Sequence, residues 1–287
     1  MVMTNSSFPP ATLYVVATPL GNLGDITQRA VEALRAADAI ACEDTRHARR
    51  LLDHLGVTAP TFALHQHNEV EASAKLAGLL GAGRRVALIS DAGTPGLSDP
   101  GARAVAAARA AGHGVVPLPG PSAAMAAWSA AGLADAQFLF AGFLPARPAA
   151  RRTALEALRD VPAALLFYEA PHRVVETLAD LAAVLDPRRT LVIARELTKL
   201  FEQIAVMPLA EGPAWLAADD NRQRGEFVLI VSAPPPLRGL AAADERVLRL
   251  LLDEVPLKQA VKLAAAITGA PRNELYERAL AVQAEPL

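Results

Sequence analysis

Cysteine is nearly absent from this 287-residue chain, and Cys42 stands alone. A single thiol permits no intramolecular disulfide and no metal site built from cysteines. Aromatic residues are also scarce, at 5%, although hydrophobic residues make up 52%. Much of that apolar content is alanine, which predicts a helix-rich, closely packed core. The net charge is only -2. Proteins that hold nucleic acid by diffuse electrostatics are usually basic overall, so any RNA contact here must come from a local patch. The nucleotide fingerprints GxGxxG and GxxxxGK[ST] are missing, which argues against a nicotinamide-dependent oxidoreductase. No uncharged apolar run spans a membrane without proline or glycine. Residues 1–11 lack the basic-then-apolar pattern of a signal peptide and are expected to be disordered. The expectation is a cytoplasmic protein with no membrane partner.

What is present alternates regularly. Apolar, β-forming runs at 12–17, 39–43, 62–64, 85–91 and 114–118 read as strands. Helical spacing falls between them, at 27–37, 45–55, 69–80 and 102–111. That pattern predicts an α/β domain over 12–120 with a mostly parallel sheet. Pro119-Gly120-Pro121 is the sharpest break, with Ser122 placed to cap a helix at 123–131. A second α/β domain, 121–233, follows. Its strands are expected at 138–142, 164–168, 190–194, 200–206 and 226–232, and its helices at 151–159, 172–185 and 208–218. Several of these strands are close in sequence, so part of this sheet should be antiparallel. Pro234-Pro235-Pro236 reads as a stiff linker to a helical segment, 240–287, with helices at 243–253, 257–268 and 271–283.

Three turns carry chemical interest. Ser90-Asp91-Ala92-Gly93-Thr94-Pro95-Gly96-Leu97-Ser98-Asp99-Pro100-Gly101 follows a strand, where open α/β sheets bind ligands. Its glycines allow close backbone approach, and Asp91 can accept hydrogen bonds from a ribose or amino group. Asp99 is placed to cap the next helix. Pro19-Leu20-Gly21-Asn22-Leu23-Gly24-Asp25 is a second glycine-bearing turn, and Asp25 suits a cap. Ser122 and the first amides of its helix form a third, suited to an anion.

Taken with Glu43-Asp44-Thr45-Arg46, Gly142-Phe143-Leu144-Pro145 and Arg195-Glu196-Leu197-Thr198-Lys199, these turns resemble the tetrapyrrole methylase family. Within it they are most similar to the branch that 2′-O-methylates ribosomal RNA. The resemblance runs from about Leu13 onward and keeps motif order and spacing. It implies two α/β domains with S-adenosylmethionine in the cleft between them, a C-terminal helical segment, and a homodimer. It also implies a substrate, a cytidine ribose of 16S rRNA, presented as RNA or as the small ribosomal subunit. The cofactor would be lined by Leu20, Asp91, Gly93, Thr94, Ser98, Ser122 and Ala123 from one side. Phe167 or Tyr168, with the turn Gly225-Glu226, would line it from the other.

Methyl transfer to a hydroxyl gains from a base, and Glu43, Asp44, His67 and Glu69 are the candidates. His65 and His67 lack a matching ligand set, so no metal is expected. Arg46, Arg147, Arg151, Arg152, Arg173, Arg195 and Lys199 are the candidates for RNA phosphates. The bland alternatives are a helix N-terminus at Glu43-Asp44-Thr45-Arg46 whose acidic residues complement the helix dipole, and local ion pairs for Arg195 and its neighbours. Two rival functions remain open at this point: a tetrapyrrole C-methyltransferase, and a non-catalytic RNA-binding assembly protein on the same scaffold.

Overall fold

A computed structural model describes residues 8–235 and 242–284. The disorder expected over 1–11 therefore falls in part outside the described residues. Its remainder is held in place. The Phe8 carbonyl accepts from Arg85 Nε and the Pro9 carbonyl from the Tyr14 hydroxyl, both at 2.8 Å.

Strands β1 (Thr12–Val16), β2 (Ala39–Cys42), β3 (Thr61–Ala63), β4 (Val86–Leu88) and β5 (Gly114–Leu118) form one sheet. Their order is β3-β2-β4-β1-β5 and every pairing is parallel. Parallel neighbours need long crossovers, and helices supply them: α1 (Gln28–Ala36), α2 (Thr45–His54), α3 (Glu69–Gly81) and α4 (Ala102–Ala110). Side chains alternate along each strand, so each face has its own core. Tyr14, Val16, Ile40 and Ala87 pack with Leu34 of α1 and Leu52 of α2. Leu13, Ala41, Val86 and Leu88 pack with Leu76 of α3 and Ala104 of α4. The adjacent strands β1 and β4 thus send their helices to opposite faces. That divergence opens a crevice beyond their carboxyl ends.

The second half holds α5 (Ala123–Ala130), β6 (Phe138–Phe143), α6 (Pro148–Leu158), β7 (Ala164–Glu169), α7 (Val174–Val184), β8 (Thr190–Arg195), β9 (Gln203–Pro208), α8 (Gly212–Ala217) and β10 (Phe227–Val231). The sheet order is β6-β7-β10-β8-β9, with β6 and β7 parallel and the other pairs antiparallel. One face packs on α6, α7 and α8 through residues such as Phe167 and Leu229. The other packs on α5, where Ala124 and Ala127 lie against Leu166 and Ile230. The expected strand 200–206 is displaced to β9, because residues 196–202 turn back through Lys199 N–H to Glu196 O and Glu202 N–H to Lys199 O. The expected helix 208–218 is shorter, a 3-10 turn at Leu209–Glu211 followed by α8 with Pro213 in its first turn.

Three expected caps are not made. Asn22 caps a 3-10 turn at Leu23–Asp25 and Thr27 caps α1, so Asp25 caps nothing. Ser122 occupies the N-cap position of α5 without a capping hydrogen bond. Asp99 does not cap α4, whose N-cap is Gly101.

The described residues from 234 onward form a separate compact unit. It contains α9 (Ala242–Glu254), α10 (Leu257–Thr268) and α11 (Arg272–Ala284). Leu248, Val261, Ala264, Leu275 and Ala279 are its core. Gly269 ends α10 in the left-handed conformation, φ 77°, as its position after the periodic run predicts.

Candidate active site

The loop after β4 is pinned to the loop after β1. Thr18 and Gly93 exchange both backbone hydrogen bonds, at 2.9 and 3.0 Å. Gly93 takes φ +78°, and a Cβ there would stand 3.2 Å from Leu20 Cδ2. Glycine is needed at this point for both reasons. Thr94 Oγ1 then donates to the Pro121 carbonyl at 3.0 Å, tying the loop to the link between the two sheets. Ser98 is held at φ +67°, a strained conformation for a residue with a side chain. It faces Gly142, where the pairing of β6 with β7 shifts register and φ is +65°. A Cβ on Gly142 would lie 3.1 Å from Ser98 Oγ, so the two halves meet closely here.

Between them lies a cavity of about 530 Å³. The first half contributes Leu20, Asp91, Gly93, Thr94, Leu97, Ser98 and Asp99. The second contributes Ala123, Phe143, Tyr168, His172, Leu197, Glu226 and Val228. Eight of the eleven residues expected around a cofactor therefore line one cavity: Leu20, Asp91, Gly93, Thr94, Ser98, Ala123, Tyr168 and Glu226. The other three do not. Phe167 points to the opposite face of its sheet and is fully buried in the core there. Ser122 lies just behind the wall, next to Tyr168, whose hydroxyl accepts from the first-turn amide of Ala124 at 3.2 Å. Gly225 packs against the Glu196 side chain.

The expected bases separate just as sharply. Asp44 caps α2, accepting from Arg46 N–H at 2.7 Å and His47 N–H at 3.3 Å. Those amides hold its carboxyl below the usual range, so it is a poor proton acceptor. Glu69 caps a different helix. Its Oε1 accepts from Gly101 N–H at 3.1 Å and Arg103 N–H at 3.4 Å, and its Oε2 lies 3.4 Å from Arg103 Nε. His67 is exposed and stands edge-on to His65, 6.0 Å between ring centres. Glu43 stays near the site, its carboxyl pushed up by burial and then by the Asp91 charge, with His65 opposing. Asp91 accepts from Asp44 N–H at 3.2 Å.

Asp99 is the residue the sequence reading misassigned. It lines the cavity. Its carboxyl is pushed up to about 6, mainly by burial and then by the Glu43 charge, with a smaller effect from Asp91. The nearby Ser90 hydroxyl, which donates to the Ala92 and Gly93 carbonyls at 3.3 Å, opposes the rise. No sequence rule distinguishes a cavity-facing aspartate from a cap at this spacing. The available signal is Gly101, which at φ +133° takes the cap position itself.

Most of the expected RNA-binding cations have other work. Arg151 is buried, with Nε 2.6 Å from Asp180 Oδ2 and Nη2 3.2 Å from Glu176. It cannot reach RNA. Arg152 shares Asp180 at 2.7 Å, although its side chain is 59% exposed. Arg173 donates to the Leu144 carbonyl and lies 3.2 Å from Glu169. Arg195 donates to the Arg224 carbonyl. Lys199 bridges Glu196 at 2.9 Å and Glu226 at 2.8 Å, fixing the cavity edge. Arg46, whose side chain is 93% exposed, and Arg147, also exposed, keep their heads in solvent. Among the described residues no group of three or more His, Cys, Asp or Glu side chains is placed to hold a metal ion.

Comparison with known proteins agrees with this arrangement. Residues 12–212 match the family described as Tetrapyrrole (Corrin/Porphyrin) Methylases, and residues 238–283 match the RsmI C-terminal HTH domain. The chain is 52% identical over 272 residues to the ribosomal RNA small subunit methyltransferase I of Pseudomonas aeruginosa, covering 94% of this chain and 96% of that one. It is 51% identical to the Escherichia coli O157:H7 protein of the same name, covering 94% and 95%. Among solved structures, uroporphyrin-III C-methyltransferase from Thermus thermophilus complexed with S-adenosyl homocysteine superposes with TM-score 0.54 at 18% identity, covering 77% of this chain and 97% of that one. A diphthine synthase superposes with TM-score 0.58 at 19% identity, covering 77% and 90%. The shared fold thus serves unlike substrates, and sequence identity across nearly the full length is the stronger tie. With methylase similarity across both sheets and relatives half identical from end to end, the chain belongs to the tetrapyrrole methylase family.

Proposed function

We propose that this chain transfers a methyl group from S-adenosylmethionine to the ribose 2′-hydroxyl of a cytidine in 16S rRNA. The observation that carries the reading is the cavity between the sheets, walled by the two glycine-bearing loops and edged by carboxylates. Its volume suits a small-molecule site. Leu20, Leu97, Leu197 and Val228 offer apolar walls for a nucleoside, and Asp91, Tyr168 and Glu226 offer polar groups for ribose and amino functions. Gly93 keeps clear the space that a side chain would fill.

When bound, the donor supplies a methyl carbon activated by an adjacent sulfonium. The protein supplies position. Holding the hydroxyl in line with that carbon is worth roughly 7–11 kcal/mol where alignment is good. The strained Ser98 and the Thr94–Pro121 bond fix the loop that sets this alignment. The Lys199 bridge fixes the opposite edge. Arg46 and Arg147 are read as phosphate contacts, and the ribose hydroxyl itself separates RNA from DNA.

The working unit is read as the α/β domains 12–120 and 121–233, with 240–287 a separate helical segment. The protein is taken to act in the cytoplasm as a homodimer. Leu200, 90% exposed, and Phe201, 67% exposed, support the dimer as an apolar knob at the β8–β9 turn. The test is to supply radiolabelled S-adenosylmethionine with small ribosomal subunits, naked 16S rRNA and a tetrapyrrole precursor. Label on a cytidine ribose in either RNA sample supports the reading. Label on the tetrapyrrole alone, or on nothing, overturns it.

A further inference from the structure

Strand β6 breaks its own alternation. Successive side chains on a strand point to opposite faces, so Phe140 and Phe143, three residues apart, should face opposite ways. They face the same way. Both rings meet Tyr168 edge-on, with ring centres 4.8 and 5.7 Å from its own. The cause is an extra residue, Ala141. Phe140 pairs with Leu166, but it is Gly142 that pairs with Phe167 and Phe143 with Tyr168, so one residue of β6 is left unmatched. Such a bulge re-aims the side chains beyond it. Gly142 makes it possible by taking φ +65°.

Re-aimed in this way, Phe143 lines the cavity and is 53% exposed. Exposure of one phenylalanine would call for no explanation by itself. This one is held in place from both sides. Gly142 is buried, and a Cβ on it would come within 3.1 Å of Ser98 Oγ. Leu144 is 4% exposed in the core, and its carbonyl accepts from Arg173 Nη2. Two other aromatic rings of the lining are already engaged. Phe227 is 3% exposed, and the Tyr168 hydroxyl accepts from the Ala124 amide. Phe143 thus offers a fixed and uncovered ring where the cavity meets solvent.

Building on the methyl-transfer reading above, we propose that Phe143 is the platform on which the base of the acceptor nucleotide stacks. The hydroxyl that takes the methyl group must enter the cavity, and the base hangs from the neighbouring carbon of the same ribose. A base stacked within its strand keeps that ribose in the backbone, away from a donor held between two sheets. Splaying the nucleotide out brings the ribose in, and an aromatic side chain then replaces the lost base neighbours. Every base has a flat face, so the platform holds the nucleotide and does not choose it. Arg147, exposed four residues further on, lies on the side from which the RNA backbone would come. Phe143 is a positioning residue and takes no part in moving the proton or the methyl group.

The experiment compares wild type, Phe143→Ala, Phe143→Leu and Phe143→Trp. Single-turnover methylation is measured at subsaturating RNA, using the RNA that the wild type labels and the same RNA with an abasic ribose at the labelled position. Calorimetry gives the affinity for S-adenosylmethionine. On intact RNA, Phe143→Ala should be slower by about 5- to 150-fold, the worth of one base–aromatic stack. Phe143→Trp should keep most of the rate, and donor affinity should stay unchanged in all variants. On abasic RNA, wild type and Phe143→Ala should be equally slow, because neither has a base to hold. A purely structural role for the ring would instead slow Phe143→Ala by the same factor on both RNAs, and that result overturns the proposal. So does a wild-type rate in Phe143→Ala. Weakened donor binding at unchanged RNA dependence overturns it too, assigning the ring to the adenine of the donor. Should Phe143→Ala fail to fold, Phe143→Leu retains the apolar bulk, and a wild-type rate in that variant sinks the idea alone. A wild type that labels RNA while these variants behave normally refutes only the platform. A wild type that labels no RNA removes the proposed function and this inference together.

Discussion

The two sheets use their charged residues in opposite ways. In the first half, acidic residues gather at one place: Asp91 after β4 and Asp99 at the end of the same loop line the cavity, and Glu43 after β2 acts on Asp99 from behind them. Their mutual repulsion is unrelieved by any close cation in the set acting on Asp99. In the second half, basic residues at equally suggestive positions are neutralised by partners. Arg151 meets Asp180 and Glu176, Arg173 meets Glu169, and Lys199 meets Glu196 and Glu226. Unrelieved like charges at a cavity shift pKa values and serve chemistry, whereas satisfied pairs brace the frame. The residue type alone did not distinguish the two. The partner did.

Arg151 gives the largest expected break in that contrast. Its side chain and that of Asp180 are 1% and 5% exposed, so Arg151→Ala leaves an anion buried with half its pairing gone. Such a loss typically costs about 3–5 kcal/mol. Urea denaturation should show it as a lower midpoint. Arg147→Ala, four residues away and exposed, should leave the midpoint unchanged and weaken RNA binding, with a salt dependence shallower by about one counterion. If Arg151→Ala folds normally and only RNA affinity falls, the division between bracing and binding cations is wrong.

Asp91→Ala comes next. It removes a carboxylate from the cavity wall and also frees the Asp44 amide. A hydrogen bond to a charged group is worth about 1.5–3 kcal/mol, which predicts roughly 10- to 150-fold weaker donor binding by calorimetry. Unchanged affinity would separate Asp91 from the donor site.

Much of this was legible beforehand. The strand–helix alternation anticipated the strands and α-helices of the described residues but not the 3-10 turns at Leu23–Asp25 and Asp220–Gln223; in the first sheet it did so because parallel pairing forces a crossover that carries a helical period. The cavity loops were legible because glycines after strands mark close approach. Side-chain phase was harder. Phe167 and Tyr168 are neighbours on one strand, and period two sends them to opposite faces, yet a buried strand is apolar on both and hides which face is which. Arg151 was readable in principle, since it shares a helical face with Leu155 and Leu158 at i+4 and i+7. That Glu69 and not Asp99 takes the first amides of α4, an exchange of roles between them, was not readable. It depends on two helices, α3 and α4, packing side by side.

That exchange yields the next prediction. Glu69→Ala removes the acceptor for two α4 amides and the Arg103 pair. Loss of a cap costs about 0.5–2 kcal/mol, so thermal stability should fall while turnover per folded molecule persists. A collapse of turnover with intact stability would return Glu69 to the list of bases.

The smallest effect is diagnostic through its sign. Burial and the nearby anions put Asp99 at about 6 in the folded protein, against an ordinary value of 3.8. Between those values the folded state binds the proton more tightly than the unfolded chain. The resulting stabilisation is present in full below about pH 4 and is lost as pH rises through 6. Above 6 the ionised Asp99 therefore weakens the fold, by about 1 kcal/mol once solvent screening is allowed for. Asp99→Asn should then be the more stable protein at pH 8, and its advantage should vanish toward pH 4. Denaturation curves at the two pH values read this directly. A variant less stable than the wild type at pH 8 would mean that the Asp99 carboxylate supports the loop it sits in, and that its place in the cavity is structural.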